Sequence, residues 1–169
     1  VFDHYTYVLS GDGCMMEGVT SEAASLAGHL GLSKLIVFYD SNKISIEGST
    51  ELAFSEDVCA RFEAYGWQTL SGDAYDPAGI INLVEQAQQD KEHPTLIKLT
   101  STIGKGSVNK AGTHGVHGAP LGEEEIGITR DNLGIPQDQW FFEDPLSKEY
   151  FTEKQAEWEQ NYQHWSEQF

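Results

Sequence analysis

Hydrophobic and polar positions switch between two periods along the first hundred residues. Residues 5–10 (YTYVLS) are rich in β-branched and aromatic side chains and run into a Gly-Asp-Gly turn, which predicts a strand. Over residues 17–30 the apolar positions Val19, Ala23, Ala24, Leu26, Ala27 and Leu30 recur at helical spacing. Their small side chains predict a helix lying close against a sheet. Residues 34–40 (KLIVFYD) form an unbroken apolar run, the pattern of a central parallel strand covered on both faces.

The alternation continues. A polar loop with a short alternating segment (SNKISIEGST) precedes a predicted helix over 55–66, with Ser55 as its N-cap and Gly66 as its terminator. WQTLSG reads as a strand. The stretch from Asp76 predicts a further helix, capped by Asp76 with Pro77 in its first turn. Residues 95–101 (TLIKLTS) predict another buried strand. Strands alternating with helices imply right-handed crossovers, hence an α/β fold: a parallel sheet with helices on both faces.

Beyond the last strand the pattern loosens. Residues 106–120 are glycine-rich and carry two histidines, and LGEEEIGITRDNLGI predicts a helix. An α/β domain over 1–135 is expected, followed over 136–169 by a proline- and aromatic-containing connector and an amphipathic helix. That helix presents Trp158, Tyr162 and Trp165 at helical spacing. It reads equally as a solvated surface helix or as an arm that needs a partner.

Composition narrows the function classes. The 169 residues hold 10 basic against 27 acidic side chains, a formal charge of −17, which argues against general affinity for nucleic acid. An anion could bind only through local backbone dipoles or a metal ion. Hydrophobic content of 39% fits a globular chain rather than a disordered one. Cys14 and Cys59 are too few for a disulfide framework and suggest a reducing, cytoplasmic setting. No apolar run is long enough to span a bilayer, so no membrane partner is expected. The absence of an initial Met, almost inside the first strand, suggests a piece of a longer protein.

The candidate chemistry lies at the strand ends. In parallel sheets ligands sit beyond the carboxyl ends of the strands, so the Gly11-Asp12-Gly13 turn, the loop after Asp40 and the TIGKGS loop should meet at one rim. A Gly-Asp-Gly turn or a loop Asn alone is common punctuation. Paired thirty residues apart, each just past a strand of one βαβ unit, Asp12 and Asn42 can enter the same crevice. A carboxylate, an amide oxygen and a backbone carbonyl suit Mg²⁺, which shares its shell with substrate phosphates. An Asn rather than a second Asp avoids repelling a diphosphate, and the flanking glycines let it approach the backbone. The N-terminal end of the 17–30 helix would add a favourable dipole. An aspartyl-nucleophile phosphohydrolase would want a second Asp two residues on, where Cys14 stands.

GDGCMMEG, followed by NKISIEG and later by GTHGVHGAPLG, resembles the transketolase family. The Gly-Asp-Gly-to-Asn arrangement is the general signature of thiamine diphosphate enzymes; the flanking residues narrow it to the transketolase branch, which includes dihydroxyacetone synthase. The resemblance implies the thiamine diphosphate-binding fold and, over residues 1–135, a diphosphate- and Mg²⁺-binding module. It implies Asp12, Asn42 and the Ile44 carbonyl as ligands of Mg²⁺, with Ca²⁺ or Mn²⁺ as substitutes. It further implies that Gly11 and Gly13 lie against the diphosphate, Gly13 through its amide. Ile46 would pack on the thiazolium ring, and His117 would face the diphosphate and the substrate. Glu17 would stand at a subunit interface, near the activating glutamate of the partner. By their residue types alone, Ile44 and Ile46 read as loop or core, Glu17 as a first-turn acid and His117 as a surface histidine.

The activity so implied is transfer of a two-carbon ketol unit between sugar phosphates in the pentose phosphate pathway, by a cytoplasmic homodimer. The pyrimidine-binding domain of that family has no counterpart here, so the chain is expected to be inactive alone. Alternatives are a non-catalytic Mg²⁺–diphosphate-binding subunit of a split enzyme, or another thiamine diphosphate enzyme such as dihydroxyacetone synthase, deoxyxylulose phosphate synthase or phosphoketolase.

Overall fold

Four parallel strands form the sheet of this computed structural model, which describes residues 3–168. They are β1 (Thr6–Gly11), β2 (Leu35–Ser41), β5 (Gln68–Asp73) and β6 (Thr95–Thr100), hydrogen-bonded in the order β1-β2-β6-β5. Between β2 and β5, the short strands β3 (Ile44–Ser45) and β4 (Gly48–Ser49) make a separate antiparallel hairpin. The helices are α1 (Asp12–Met16), α2 (Gly18–His29), α3 (Val58–Ala64), α4 (Pro77–Gln89), α5 (Glu123–Leu133) and α6 (Pro145–Glu167).

Handedness explains why both faces are covered. The chain moves outward from β1 to β2 and on to β5, then returns to place β6 between β2 and β5. With every crossover right-handed, reversing direction moves the connecting helix to the other face. Met15, Ala24, Ala27, Val58 and Phe62 from α1, α2 and α3 accordingly share one core with Tyr39, Trp67 and Leu96. Ala87, Leu83 and Val84 of α4 pack with Ile36, Phe38 and Ile97 on the opposite face. Neighbouring residues of β2 thus feed different cores, the period of two that a strand imposes.

The elements differ from the expectations in three places. The helix expected over 17–30 is α2, with Glu17 as its extended N-cap (φ −72°, ψ 135°), but it is preceded by an unexpected five-residue helix, α1, which starts at Asp12 and ends at the same Glu17. Within α2 only Ala24 and Ala27 of the expected apolar face are buried, while Val19, Leu26 and Leu30 are exposed. A narrow alanine stripe lets the helix lie close: a Cβ on Gly28 would collide with the Tyr65 carbonyl oxygen, and Trp67 Nε1 donates to the Ala24 carbonyl at 2.8 Å. The third difference is the cap of α3. It is Asp57, which accepts the Ala60 amide at 3.2 Å, rather than Ser55. The Asp76 cap with Pro77 behind it, and Gly66 at positive φ, are as expected.

The C-terminal helix α6 carries no buried residue, and Trp158, Tyr162 and Trp165 are exposed along it. Phe169, the last residue of the expected helix, lies outside the described residues. Among the described residues, no helix is long and apolar enough to cross a membrane.

Candidate functional site

The ends of β1, β2 and β6 stand side by side in register, Gly11 opposite Asp40 and Ser41 opposite Thr100. The three loops expected at one rim are therefore adjacent. The Ser101 amide donates to the Ser41 carbonyl at 3.3 Å, and the Ser101 hydroxyl donates to Asp40. A cleft of about 660 Å³ opens there, reaching from Ser10 and Asn42 to Gly104.

Asp12 is the buried charge of this rim, 4% exposed. Its Oδ1 accepts the Tyr39 hydroxyl at 2.5 Å, and its Oδ2 accepts the amides of Asn42 at 3.1 Å and Lys43 at 2.8 Å. All three donors are neutral, and among the described residues no basic side chain forms an ion pair with this carboxylate. Burial, followed by the bond to Asp12, pushes the Tyr39 hydroxyl far above its ordinary range, so it remains a donor.

The turn after β2 is shaped around the same carboxylate. Lys43 has φ +62°, unique among the described non-glycine residues, and this left-handed step aims two successive amides at Asp12. It also brings Asn42 Oδ1 back to accept the Ile44 amide at 3.0 Å. The Thr50 amide donates to the Lys43 carbonyl at 3.0 Å, which makes Ile44–Ser49 a non-hydrogen-bonded pair of the hairpin. The Ile44 amide and carbonyl therefore both face away from β4, toward the side where Asn42 Oδ1 lies.

This donor set suits a hard divalent cation. It offers a buried carboxylate without a cationic partner, an amide oxygen with a second lone pair, and an outward-facing carbonyl. Cβ atoms built on Gly11 and Gly13 would meet nothing within 4 Å, so the backbone there is open to a ligand. Neither glycine has positive φ; their value is access rather than backbone freedom. The helix expected over 17–30 does begin at Gly18, and the five-residue α1 stands between the Gly-Asp-Gly turn and its N-terminal end. Ile46 sits at the tip of the hairpin, 68% exposed, an apolar side chain with little of its own fold to cover it.

His117 and Glu17 are not bonded to this cluster. His117 closes the 3₁₀ turn His114–Val116 and is exposed. Its neighbour Val116 lies over Gly104 of the cleft, where an added Cβ would come within 3.0 Å of it. Glu17 is exposed at the α1–α2 junction and does not line the cleft.

Three side chains complete the support of the site and were not singled out from the sequence. Tyr39 anchors Asp12. Arg61 of α3 donates to the Met15 carbonyl and to Ser21, each at 2.7 Å, and so ties α1 to α2. Glu125, in the first turn of α5, is buried against residues 107–109; bonds from Ser107, then from the Asn109 backbone and side chain, hold its carboxyl down at about 2. A Tyr ending an apolar strand beside an Asp-x-Asn loop was the available signal for the first.

Residues 1–169 match the family model of the transketolase thiamine diphosphate binding domain. A chloroplastic transketolase of Zea mays is 54% identical over 145 residues, covering 83% of this chain and 21% of its own. A transketolase of Nostoc sp. is 52% identical over 161 residues, covering 93% of this chain and 23% of its own. The crystal structure of a Pichia stipitis transketolase complex with sedoheptulose 7-phosphate superposes with a TM-score of 0.90 at 48% identity, covering 98% of this chain and 25% of that one. The chain spans about a quarter or less of the length of each of these relatives.

Proposed function

Since the chain belongs to the transketolase family, in its thiamine diphosphate-binding domain, we propose that it holds the Mg²⁺–diphosphate end of that cofactor in a ketol-transferring enzyme. Residues 1–135 form the binding module, and 136–169 lead toward the pyrimidine-binding domain. When bound, thiamine diphosphate supplies the nucleophilic carbon and the electron sink for moving a two-carbon ketol unit between sugar phosphates. The chain's own residues bind and orient. Asp12, Asn42 and the Ile44 carbonyl hold Mg²⁺, or Ca²⁺ or Mn²⁺ in its place. Gly13, beside Gly11, offers its amide to the diphosphate, Ile46 its apolar surface to the thiazolium ring, and His117 its imidazole to the diphosphate and the substrate. Glu17 faces the second subunit of a homodimer.

The buried Asp12 carboxylate carries this reading, because its three neutral donors orient it without cancelling its charge. Sugar phosphates as substrates, in the pentose phosphate pathway, rest on family membership and on the sedoheptulose 7-phosphate complex of the Pichia stipitis relative. Free thiols at Cys14 and Cys59 support a reducing compartment such as the cytoplasm. Relatives about four times as long support the expectation that these 169 residues alone do not turn over.

Titrating thiamine diphosphate into the intact protein, with and without Mg²⁺, tests the site. Binding should require Mg²⁺ and be lost in both Asp12→Asn and Asn42→Ala. Asp12→Asn keeps the shape of the side chain, so retained affinity in that variant would reject the assignment.

A further inference from the structure

The loop between β6 and α5 is held by a single buried carboxylate. Glu125 Oε1 accepts the Ser107 hydroxyl at 2.5 Å and the Asn109 amide at 3.0 Å, and Oε2 accepts Asn109 Nδ2 at 2.8 Å. Ser107 Oγ in turn accepts the Lys110 amide at 3.0 Å. The Lys110 ammonium then reaches across the loop to donate to the Leu121 carbonyl at 2.7 Å. One bonded series thus runs from Glu125 through Ser107 to Lys110 and across to Leu121. It fastens together the two ends of residues 110–121, the segment that carries His117.

The rest of the loop leans on the same support. Asn132 Nδ2 donates to the Gly106 carbonyl at 2.9 Å, and Gly106 lies so close to Leu133 that an added Cβ would overlap it. The Gly112 amide reaches the Ile103 carbonyl at 2.9 Å, folding the segment back over the rim. His117 itself is exposed and makes no bond to the cluster around Asp12, so its place next to Val116, which lies over Gly104 of the cleft, is set by this frame. A buried carboxylate that satisfies three donors is costly to replace, because each donor would lose its partner together.

We propose that Glu125 is a positioning residue: its carboxylate, acting through Ser107 and Lys110, fixes the loop that presents His117 to the ligand. The proposal rests on the role given to His117 above. Glu125 touches no ligand and acts only through the loop.

The test combines hydrogen exchange with a double-mutant cycle on the intact protein. In Glu125→Gln, exchange over residues 106–121 should rise at least about tenfold, the loss of a charge-assisted bond, while peptides from β2 and β6 stay protected. Thiamine diphosphate affinity in saturating Mg²⁺ should weaken in Glu125→Gln, and should not weaken further when Glu125→Gln is added to His117→Ala. Ser107→Ala, which leaves Glu125 bonded to Asn109, should reproduce both effects to a smaller extent should the first variant fold poorly. Unchanged exchange, or equal weakening in the presence and absence of His117, would overturn the proposal. Normal affinity in His117→Ala alone would instead reject the role of His117, and Glu125 as its positioning residue with it.

Discussion

The Tyr39 hydroxyl donates from β2 to Asp12 Oδ1, on the first residue of α1, at 2.5 Å and out of water. It fixes the rotation of the carboxylate, so that Oδ2 stays on the amides of Asn42 and Lys43. Removing it in Tyr39→Phe should weaken Mg²⁺ binding by roughly tenfold or more, the usual effect of losing an outer partner of a metal ligand. Calorimetric titration of Mg²⁺ into the protein with thiamine diphosphate present measures this directly. Unchanged affinity alongside a lower melting temperature would leave Tyr39 a purely structural role.

Ile46 separates binding from folding. It is 68% exposed at the hairpin tip, so Ile46→Ser should alter stability by no more than about 0.5 kcal/mol. The same change should weaken thiamine diphosphate, while the diphosphate end alone, probed with inorganic pyrophosphate and Mg²⁺, binds as before. Equal loss for both ligands would place Ile46 outside the ring contact.

Glu125 gives a pH dependence with a definite sign. Its carboxyl is held at about 2 in the folded chain against an ordinary 4.5, so its contribution is complete above pH 4.5 and is lost as the pH falls toward 2. The difference in melting temperature between wild type and Glu125→Gln should therefore be constant near neutrality and narrow through that window. A difference that widens on acidification would contradict the bonding described.

Gly28 sets the distance between α2 and the end of α3. Its missing Cβ faces the Tyr65 carbonyl, a backbone atom that cannot swing aside as a side chain could. Gly28→Ala should cost about 1–3 kcal/mol by overpacking, despite the better helix propensity of alanine. Urea denaturation gives the value, and a stabilised variant would mean that the two helices are free to separate.

The legible parts of the sequence were those set by local pattern. Asp12 and Asn42 could be paired because one βαβ unit fixes where both must emerge, and the Asp76–Pro77 helix start announces itself in two residues. Tyr39 was hidden in an apolar run, where an aromatic reads as core; only the turn after the neighbouring strand supplies the carboxylate that occupies its hydroxyl. Glu125 is one of three consecutive glutamates that all look like first-turn acids. Which of them is buried depends on where residues 107–109 come to rest. The short helix α1 was equally silent, because five residues straight after a glycine turn are too few to show a helical period.

The late arrival of β6 bears on how such a chain is made. Among the described residues β5 is bonded to β6 alone, and β6 comes after it in the chain, so within this stretch β5 has no strand to pair with until residues 95–100 have been synthesised. Until then the growing polypeptide presents the unpaired edge of β2, bordered by Ile36 and Val37, to whatever else is nearby. An open parallel edge is a template for wrong pairing, and non-local sheets close slowly. The most vulnerable moment for this chain on the ribosome thus falls between the first βαβ unit, which already contains both Asp12 and Tyr39, and the strand that seals the sheet beside it.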